Sequence, residues 1–254
     1  MLKPIVSNIT HCKCCGGAAS PYGVVDFSKN CSELTAAPFA VSGIPIYYYK
    51  CAHCDFIFTT AFDNFSHKDF VTHIYNQDYV LVDPEYAQIR PSRTAENVAG
   101  MFGEYRSLSI LDYGGGNGTF AKMMKAYGFQ CVDTYDPFSA EFLTRPSRQY
   151  DLVISIEVAE HTVDPKATFE ELTSFVSPEG MALFTTVIQP QDMANIGVNW
   201  NYISPRNGHV SIYSGNTLKK LADSLGFFFG SGHENTHILC RQIPQFARHL
   251  LGRT

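Results

Sequence analysis

The sequence carries few charged residues and no strong excess of either sign. Charged side chains make up 17% of its 254 residues, and its formal net charge is −5. This balance gives no general attraction to nucleic acid or to an anionic membrane. The sequence also has no apolar run of membrane-spanning length, and no apolar h-region of a secretory signal near its start. We therefore expect a cytoplasmic protein without a membrane span.

The turn that begins at Gly114 does not fit two common nucleotide-binding signatures. A Walker loop ends in Gly-Lys-Ser or Gly-Lys-Thr, and the sequence contains neither. A dinucleotide fingerprint needs a third Gly or an Ala, but Gly114 and Gly116 are followed by Thr119 at that place. These absences argue against both kinds of phosphate loop.

A strand, a glycine turn and a helix are nevertheless predicted in immediate succession. The apolar run Leu108–Leu111 predicts a short buried strand, four glycines lie within Gly114–Gly118, and apolar residues at helical spacing begin at Phe120. This order is typical of the first half of a nucleotide-binding βαβ unit. We expect that a Cβ at Gly114 or Gly116 would hold a ligand off and would penalise a positive φ angle. A tight turn in an unrelated α/β protein is the alternative.

An acidic residue follows the next predicted strand. The stretch Phe129–Tyr135 predicts that strand, and Asp136 stands at its end. A carboxylate in this place can accept hydrogen bonds from both hydroxyls of a ribose. Asp133 is the competing acid, although it would lie within the strand.

Cysteine is concentrated near the start of the chain, where it forms two C-x-x-C pairs. Each pair can present two thiolates to one metal ion, and two pairs complete a tetrahedral zinc site. We predict a structural Zn²⁺ held by four thiolates, those of Cys12, Cys15, Cys51 and Cys54. The gap between the pairs is longer than in a compact zinc ribbon, so free thiols are an alternative. Substitute ligands are Cys14, Cys31, His11 and His53.

The pattern Asp-x-Gly-x-Gly-x-Gly from Asp112 to Gly118 resembles motif I of the class I methyltransferases that use S-adenosylmethionine. The resemblance implies an α/β fold with a Rossmann-like, mostly parallel sheet and an antiparallel last strand. It also implies S-adenosylmethionine as the cofactor. The residues expected at the cofactor are Asp112, Gly114, Gly115, Gly116, Asn117, Gly118, Phe120, Asp136, Pro137, Phe138, Glu157 and Val158.

Three segments are expected along the chain. Residues 1–62 form the zinc-binding module, residues 63–106 a helical connector, and residues 107–254 the Rossmann-like methyltransferase domain. The connector is rich in aromatic side chains, of which Tyr75 or Tyr79 could line a pocket.

A predicted turn, Ser177–Gly180, separates a helix from a predicted strand, Met181–Val187, and a long loop from Gln189 to Gly208 follows that strand. Long loops at the carboxyl end of a parallel sheet usually carry substrate contacts. We therefore expect the acceptor pocket to include Trp200, Tyr202 and Arg206.

The cysteine module together with the segment Gly208–Ser214 is similar to a bacterial group that includes deoxysugar C-methyltransferases. In that group a histidine of this segment is thought to act as the base, which implies that role for His209. Gly208 stands where Glu is common in the sugar enzymes, so the reaction class transfers better than the substrate does. A purely structural role for His209 is the alternative.

The expected activity is methyl transfer to a small hydroxylated acceptor, such as a sugar, a nucleotide-sugar or a glycan end, on oxygen or carbon. Further catalytic candidates are Glu160, His161 and Tyr79. One rival is an RNA methyltransferase whose zinc module binds RNA, but residues 1–62 show no cluster of Lys and Arg. The other rival is a zinc-dependent interaction module on an inactive methyltransferase-like fold.

Overall fold

The computed structural model describes residues 9–32, 39–232 and 235–250. The helices are α1 (His67–His73), α2 (Tyr79–Val82), α3 (Ile89–Phe102), α4 (Thr119–Ala126), α5 (Pro165–Ser174), α6 (Met193–Ile196) and α7 (Gly215–Ser224). The strands are β1 (Thr10–His11), β2 (Ala18–Asp26), β3 (Pro45–Cys51), β4 (Ile57–Thr59), β5 (Ser109–Tyr113), β6 (Cys131–Tyr135), β7 (Tyr150–Ile156), β8 (Val176–Thr185), β9 (Ser211–Ile212), β10 (Phe228–Ser231) and β11 (Thr236–Cys240). In the described ranges no helix is long and apolar enough to cross a membrane.

Contacts divide the chain into two compact units. The first unit takes residues 1–83, 160–166 and 187–221, and the second takes residues 84–159, 167–186 and 222–254. The first unit is discontinuous in sequence because its sheet includes a strand, β9, from far along the chain. Each unit has its own sheet and its own hydrophobic core.

The sheet of the second unit has the strand order β10-β11-β8-β7-β5-β6. Strands β6, β5, β7 and β8 are parallel, whereas β11 pairs antiparallel with β8 and with β10. The predicted mixed α/β sheet of the class I type is therefore confirmed. Because β5 lies between β6 and β7, the order of the strands reverses there. Ligands of open α/β sheets bind at such a switch point, outside the carboxyl ends of the strands.

The core of this unit explains why the central stretch folds as a strand and a helix. Ile110 of β5 is fully buried, and Met124 of α4 and Phe102 of α3 pack in the same cluster. Burying a side chain of this size contributes roughly 1.5–3 kcal/mol. The hydrophobic core thereby fixes the carboxyl end of β5 relative to the start of α4.

One predicted turn lies inside a strand. The stretch Ser177–Gly180 was expected to separate a helix from the next strand, but β8 already begins at Val176. Tyr150 pairs with Val176 and Leu152 pairs with Met181, so the intervening residues form a bulge in the ladder. A Pro-Glu-Gly sequence is compatible with such a bulge, since its middle residues need no ladder hydrogen bonds.

The sheet of the first unit is antiparallel and has the order β1-β2-β3-β4-β9. The apolar and aromatic stretches around residues 44–49 and 56–58 form β3 and β4. Strand β2 was not predicted, because Pro21 and Gly23 interrupt its alternation and its register shifts there. Strand β9 has two residues, Ser211 and Ile212, and pairs with β4.

Candidate functional site

The glycine turn after β5 has the backbone conformation that the sequence predicted. Gly114, Gly116 and Gly118 have φ angles of 72°, 56° and 72°, which side chains rarely adopt. A Cβ on Gly114 would lie 2.4 Å from Val158 Cγ2, so this glycine makes room for a protein side chain rather than for a ligand. A Cβ on Gly116 would meet no atom within 4 Å. The space beside Gly116 is therefore open.

Asp136 lies beside this turn and is almost completely buried. Its Oδ2 accepts a hydrogen bond of 2.8 Å from the Gly116 N–H, and its Oδ1 accepts one of 2.7 Å from the Phe138 N–H. A carboxylate oxygen can accept two hydrogen bonds, so each oxygen keeps capacity for a hydroxyl donor. The predicted ribose acceptor thus also braces the turn. The competing acid, Asp133, pairs instead with Arg148 at 2.6 Å.

Asp112 is buried under the same turn. A Cβ on Gly115 would lie 2.2 Å from Asp112 Oδ2, which shows how closely the backbone covers the carboxyl group. Within the described ranges, Oδ2 has no hydrogen-bond partner. Burial, together with the nearby charge of Asp136, raises the pKa of Asp112 to about 7. The turn therefore holds a buried acid that is easily neutralised near physiological pH.

We expect the Asp112→Asn variant to gain stability relative to the wild type as the pH rises. The pKa of Asp112 is higher in the folded than in the unfolded chain, so its ionisation destabilises the fold between about pH 4 and pH 7. The amide cannot ionise, and the difference in free energy of unfolding should change by about 2–3 kcal/mol between pH 5 and pH 8. Urea unfolding of both proteins at the two pH values measures it. A difference that does not vary with pH would contradict the burial argument.

The other predicted cofactor residues have distinct surroundings. Asn117 is exposed, and its side chain accepts from the Thr119 N–H and donates to the Ala87 carbonyl. Phe120 belongs to the hydrophobic core. Glu157 has a φ of 54° and its Oε1 accepts from the Thr185 hydroxyl at 3.1 Å.

An aromatic side chain that the sequence did not predict, Phe142, lies beside the turn. The Phe142 ring lies so close to Gly118 that a Cβ there would be 2.7 Å away. The Phe142 carbonyl accepts a hydrogen bond of 3.0 Å from the Asp136 N–H. A cavity of about 660 Å³ opens beside it, between α4 and β6. No sequence pattern marked this segment, which is a short irregular connection.

The first unit gathers a cluster of Glu160, His161 and His209. A carboxylate oxygen of Glu160 and one ring nitrogen of each histidine lie within 4.8 Å of one another. The two imidazole rings are 5.0 Å apart between centroids. Glu160 and His209 are buried. Three of the predicted catalytic candidates therefore come together in space.

Tyr202 connects two members of this cluster. Its hydroxyl donates to Glu160 Oε1 at 2.5 Å, and its ring lies 4.3 Å from the His209 ring. Its backbone carbonyl lies 2.9 Å from His209 Nδ1. A carbonyl oxygen only accepts, so Nδ1 carries the proton and Nε2 is the basic nitrogen of the neutral ring. Tyr202 is thus a positioning residue for both partners.

The other predicted site residues of the first unit make hydrogen bonds or ring contacts with residues of the same unit. Tyr79 is buried, and its hydroxyl donates to the Asn207 carbonyl at 3.3 Å. Arg206 is also buried and donates to the Ile74 carbonyl and to Asn76 Oδ1. Trp200 is only partly buried, against Tyr202.

Gly208 lies directly beside His161. Its φ is 85°, and a Cβ there would lie 3.1 Å from His161 Nδ1 and 3.1 Å from Ile74 Cγ2. A glutamate at this position would require a different arrangement of His161. The glycine therefore lets His161 lie next to His209.

The four predicted zinc ligands converge in the first unit. Their sulfurs lie within 4.8 Å of one another, with Cys12–Cys54 at 3.6 Å and Cys15–Cys51 at 3.5 Å. A tetrahedral zinc with Zn–S bonds of about 2.3 Å has S···S edges of about 3.8 Å. All four cysteines are free of disulfides, so the donor set fits Zn²⁺. The substitute Cys31 lies elsewhere, 3.8 Å from His209 Nδ1, and burial raises its pKa to about 11.

Known methyltransferases are similar to this chain. A family model described as a methyltransferase domain matches residues 78–228, which is more than half of the chain. A curated relative, a ubiquinone biosynthesis O-methyltransferase from Rickettsia felis, is 24% identical over 131 residues. That match covers 43% of this chain and 54% of the relative, so the chain spans about half of the length of this relative.

The fold is also similar to that of a solved structure. An O-methyltransferase family protein from Burkholderia thailandensis superposes with a TM-score of 0.52 at 14% identity, covering 71% of this chain and 63% of that one. Magnesium protoporphyrin IX methyltransferase from Synechocystis, with bound S-adenosylhomocysteine, gives a TM-score of 0.43 at 15% identity, over 58% of this chain and 81% of that one.

Proposed function

The chain belongs to the methyltransferase family, and we propose that it moves a methyl group from S-adenosylmethionine to a small hydroxylated acceptor. The observation that carries the proposal is the orientation of His209, whose Nδ1–H is held by the Tyr202 carbonyl so that Nε2 is basic. The acceptor that we favour is a sugar, a nucleotide-sugar or a glycan end, methylated on oxygen or carbon.

The glycine turn and Asp136 are the proposed cofactor site. When bound, S-adenosylmethionine supplies a methyl group that is already activated by its sulfonium. The open space at Gly116 lets a ligand reach the backbone, and both oxygens of Asp136 can accept ribose hydroxyls. The remaining tasks of the protein are to orient the acceptor and to remove its proton.

His209 is the proposed base of the reaction. Nε2 takes the acceptor proton, and the imidazolium that forms is stabilised by the Tyr202 carbonyl and by the buried carboxyl group of Glu160 nearby. A positioned base of this kind contributes about 10²- to 10⁴-fold to the rate. His161 and Tyr79 support the site in this scheme. The His161 ring lies beside the His209 ring, and the Tyr79 hydroxyl donates a hydrogen bond to the Asn207 carbonyl.

Three observations support a hydroxylated acceptor. The Rickettsia relative is named an O-methyltransferase, which is in line with transfer to oxygen. Trp200 is partly exposed and offers an aromatic face on which a sugar ring can stack. The low charge of the chain and its acidic balance fit a small acceptor better than a nucleic acid.

Zinc completes the proposal as a structural ion. Cys12, Cys15, Cys51 and Cys54 would hold it, and four thiolates leave no open coordination position for substrate. The ion would therefore stabilise the β3–β4 hairpin rather than take part in methyl transfer.

We expect Asp136→Ala to weaken the binding of S-adenosylmethionine roughly 10- to 150-fold. The variant loses a charge-assisted acceptor of ribose hydroxyls, which contributes roughly 1.5–3 kcal/mol. Isothermal titration calorimetry on the purified chain measures the change. The matched control is Asp133→Ala, whose carboxylate pairs with Arg148 and should leave the affinity unchanged. Wild-type affinity in Asp136→Ala would remove Asp136 from the cofactor site.

A further inference from the structure

Strands β3 and β4, which lie on either side of the second C-x-x-C pair, both reach the neighbourhood of His209. Strand β3 contains the ligand Cys51 and, three residues earlier, Tyr48; both are fully buried. The Tyr48 hydroxyl donates a hydrogen bond of 2.7 Å to the His209 backbone carbonyl. At about 3.3 Å per residue, this contact is roughly 10 Å of extended strand away from a metal ligand. A short rigid strand therefore connects the metal site with the backbone of the base.

The second strand, β4, makes the next contact. It begins three residues after Cys54, and the N–H of Thr59, its last residue, donates to the Val210 carbonyl at 3.1 Å. Phe58 and Ile57 then pair with Ser211 and Ile212 of β9. The residues that follow His209 are thus part of the same antiparallel sheet as the hairpin.

The backbone of the second cysteine knuckle anchors the chain beyond β9. The Cys54 carbonyl accepts hydrogen bonds from Ser214 Oγ at 3.0 Å and from Thr217 Oγ1 at 2.7 Å. The His53 carbonyl accepts one from Lys220 Nζ at 2.7 Å. The segment that begins at His209 is therefore attached to the hairpin by its first residue, by its strand and by its end.

We propose that the four-cysteine metal site positions the base through the β3–β4 hairpin, with Tyr48 as the residue that transmits the position of β3 to His209. The inference rests on the proposed roles of His209 and of the zinc ion. Loss of the metal frees Cys51 and Cys54, so the ends of β3 and β4 are no longer fixed. The His209 backbone, which Tyr48 of β3 contacts, is then no longer held in place. Tyr48 touches no reacting atom in this scheme; it acts through the His209 carbonyl.

The test compares Tyr48→Phe with Tyr47→Phe. Both variants remove one hydroxyl from β3, but the Tyr47 side chain is about half exposed. The readouts are the zinc content, the affinity for S-adenosylmethionine, kcat, the melting temperature and the imidazole signals of His209 in NMR spectra of histidine-labelled protein. The same spectra are recorded for the wild type before and after zinc is removed with a chelator.

We expect Tyr48→Phe to keep one zinc per chain and wild-type cofactor affinity, to shift the His209 signals, and to lower kcat roughly tenfold, in keeping with a lost buried hydrogen bond. Zinc removal should shift the same signals in the wild type, and Tyr47→Phe should leave them in place. Unchanged His209 signals in Tyr48→Phe, or after zinc removal, would overturn the proposal. If Tyr48→Phe melts below the assay temperature, the chelated wild type alone decides. A turnover that does not depend on His209 would instead refute the proposed function and leave these NMR results interpretable.

Discussion

Replacing His209 with alanine is expected to lower turnover by a factor of about 10² or more, with the dissociation constant for S-adenosylmethionine nearly unchanged. The loss is confined to proton transfer, since the proposed cofactor contacts lie in the glycine turn and at Asp136. Single-turnover rates with saturating cofactor measure the chemical step, and calorimetry measures cofactor binding. A fall in kcat without a matching loss of affinity is the expected signature.

Two further variants make this result interpretable. His209→Gln keeps a side chain that can donate to the Tyr202 carbonyl, so it preserves packing but has no basic nitrogen. It should be as inactive as the alanine variant. His67→Gln changes an exposed histidine of α1 and should retain full activity. Near-normal turnover in both His209 variants would return His209 to a structural role.

Cys51→Ser is expected to release the zinc ion and to destabilise the first unit. Cys51 is fully buried, its sulfur lies 3.5 Å from that of Cys15, and its strand β3 pairs with both β2 and β4. Structural zinc contributes about 10–16 kcal/mol of apparent binding free energy in small zinc modules. Even part of that loss should lower the melting temperature by roughly 10 °C or more, because 1 kcal/mol shifts it by about 2–4 °C at this chain length.

The matched control for Cys51→Ser is Cys14→Ser. Cys14 lies between the two N-terminal ligands in sequence but is not a member of the group of four converging sulfurs. Elemental analysis of protein purified without chelator should find one zinc per chain in the wild type and in Cys14→Ser, and close to none in Cys51→Ser. A wild type without zinc, or a Cys51→Ser variant that keeps it, would contradict the assignment.

Local sequence patterns made the turn after β5 and the two acids beside it predictable. The acid at the end of β5, the positive φ angles of the turn and the acid at the end of β6 all follow from residues within about thirty positions of one another, in a pattern typical of βαβ units. The reason for Gly114 was not predictable, because Val158 meets it from another strand end. The place of Phe142 was missed for the same kind of reason: an irregular segment carries no period.

The first unit was harder to predict because its contacts join distant parts of the chain. A two-residue strand such as β9 has no readable alternation, and its partner β4 lies more than 150 positions earlier. The sequence therefore marked His209 but not Tyr48, which holds its carbonyl. Likewise Tyr202 was expected to face the acceptor, yet its hydroxyl donates to Glu160. Residue type predicts chemical capability, whereas the direction of a side chain depends on tertiary packing.

The most direct test of the proposed function is the transfer of a labelled methyl group from S-adenosylmethionine to a panel of acceptors. The panel contains free sugars, nucleotide-sugars, small phenols and total RNA, each with the wild type and with His209→Ala. The account predicts label in a small hydroxylated acceptor, with a sugar or nucleotide-sugar as the best one, and a loss of that label in His209→Ala. Label found in RNA alone, or equal labelling by both proteins, would contradict it.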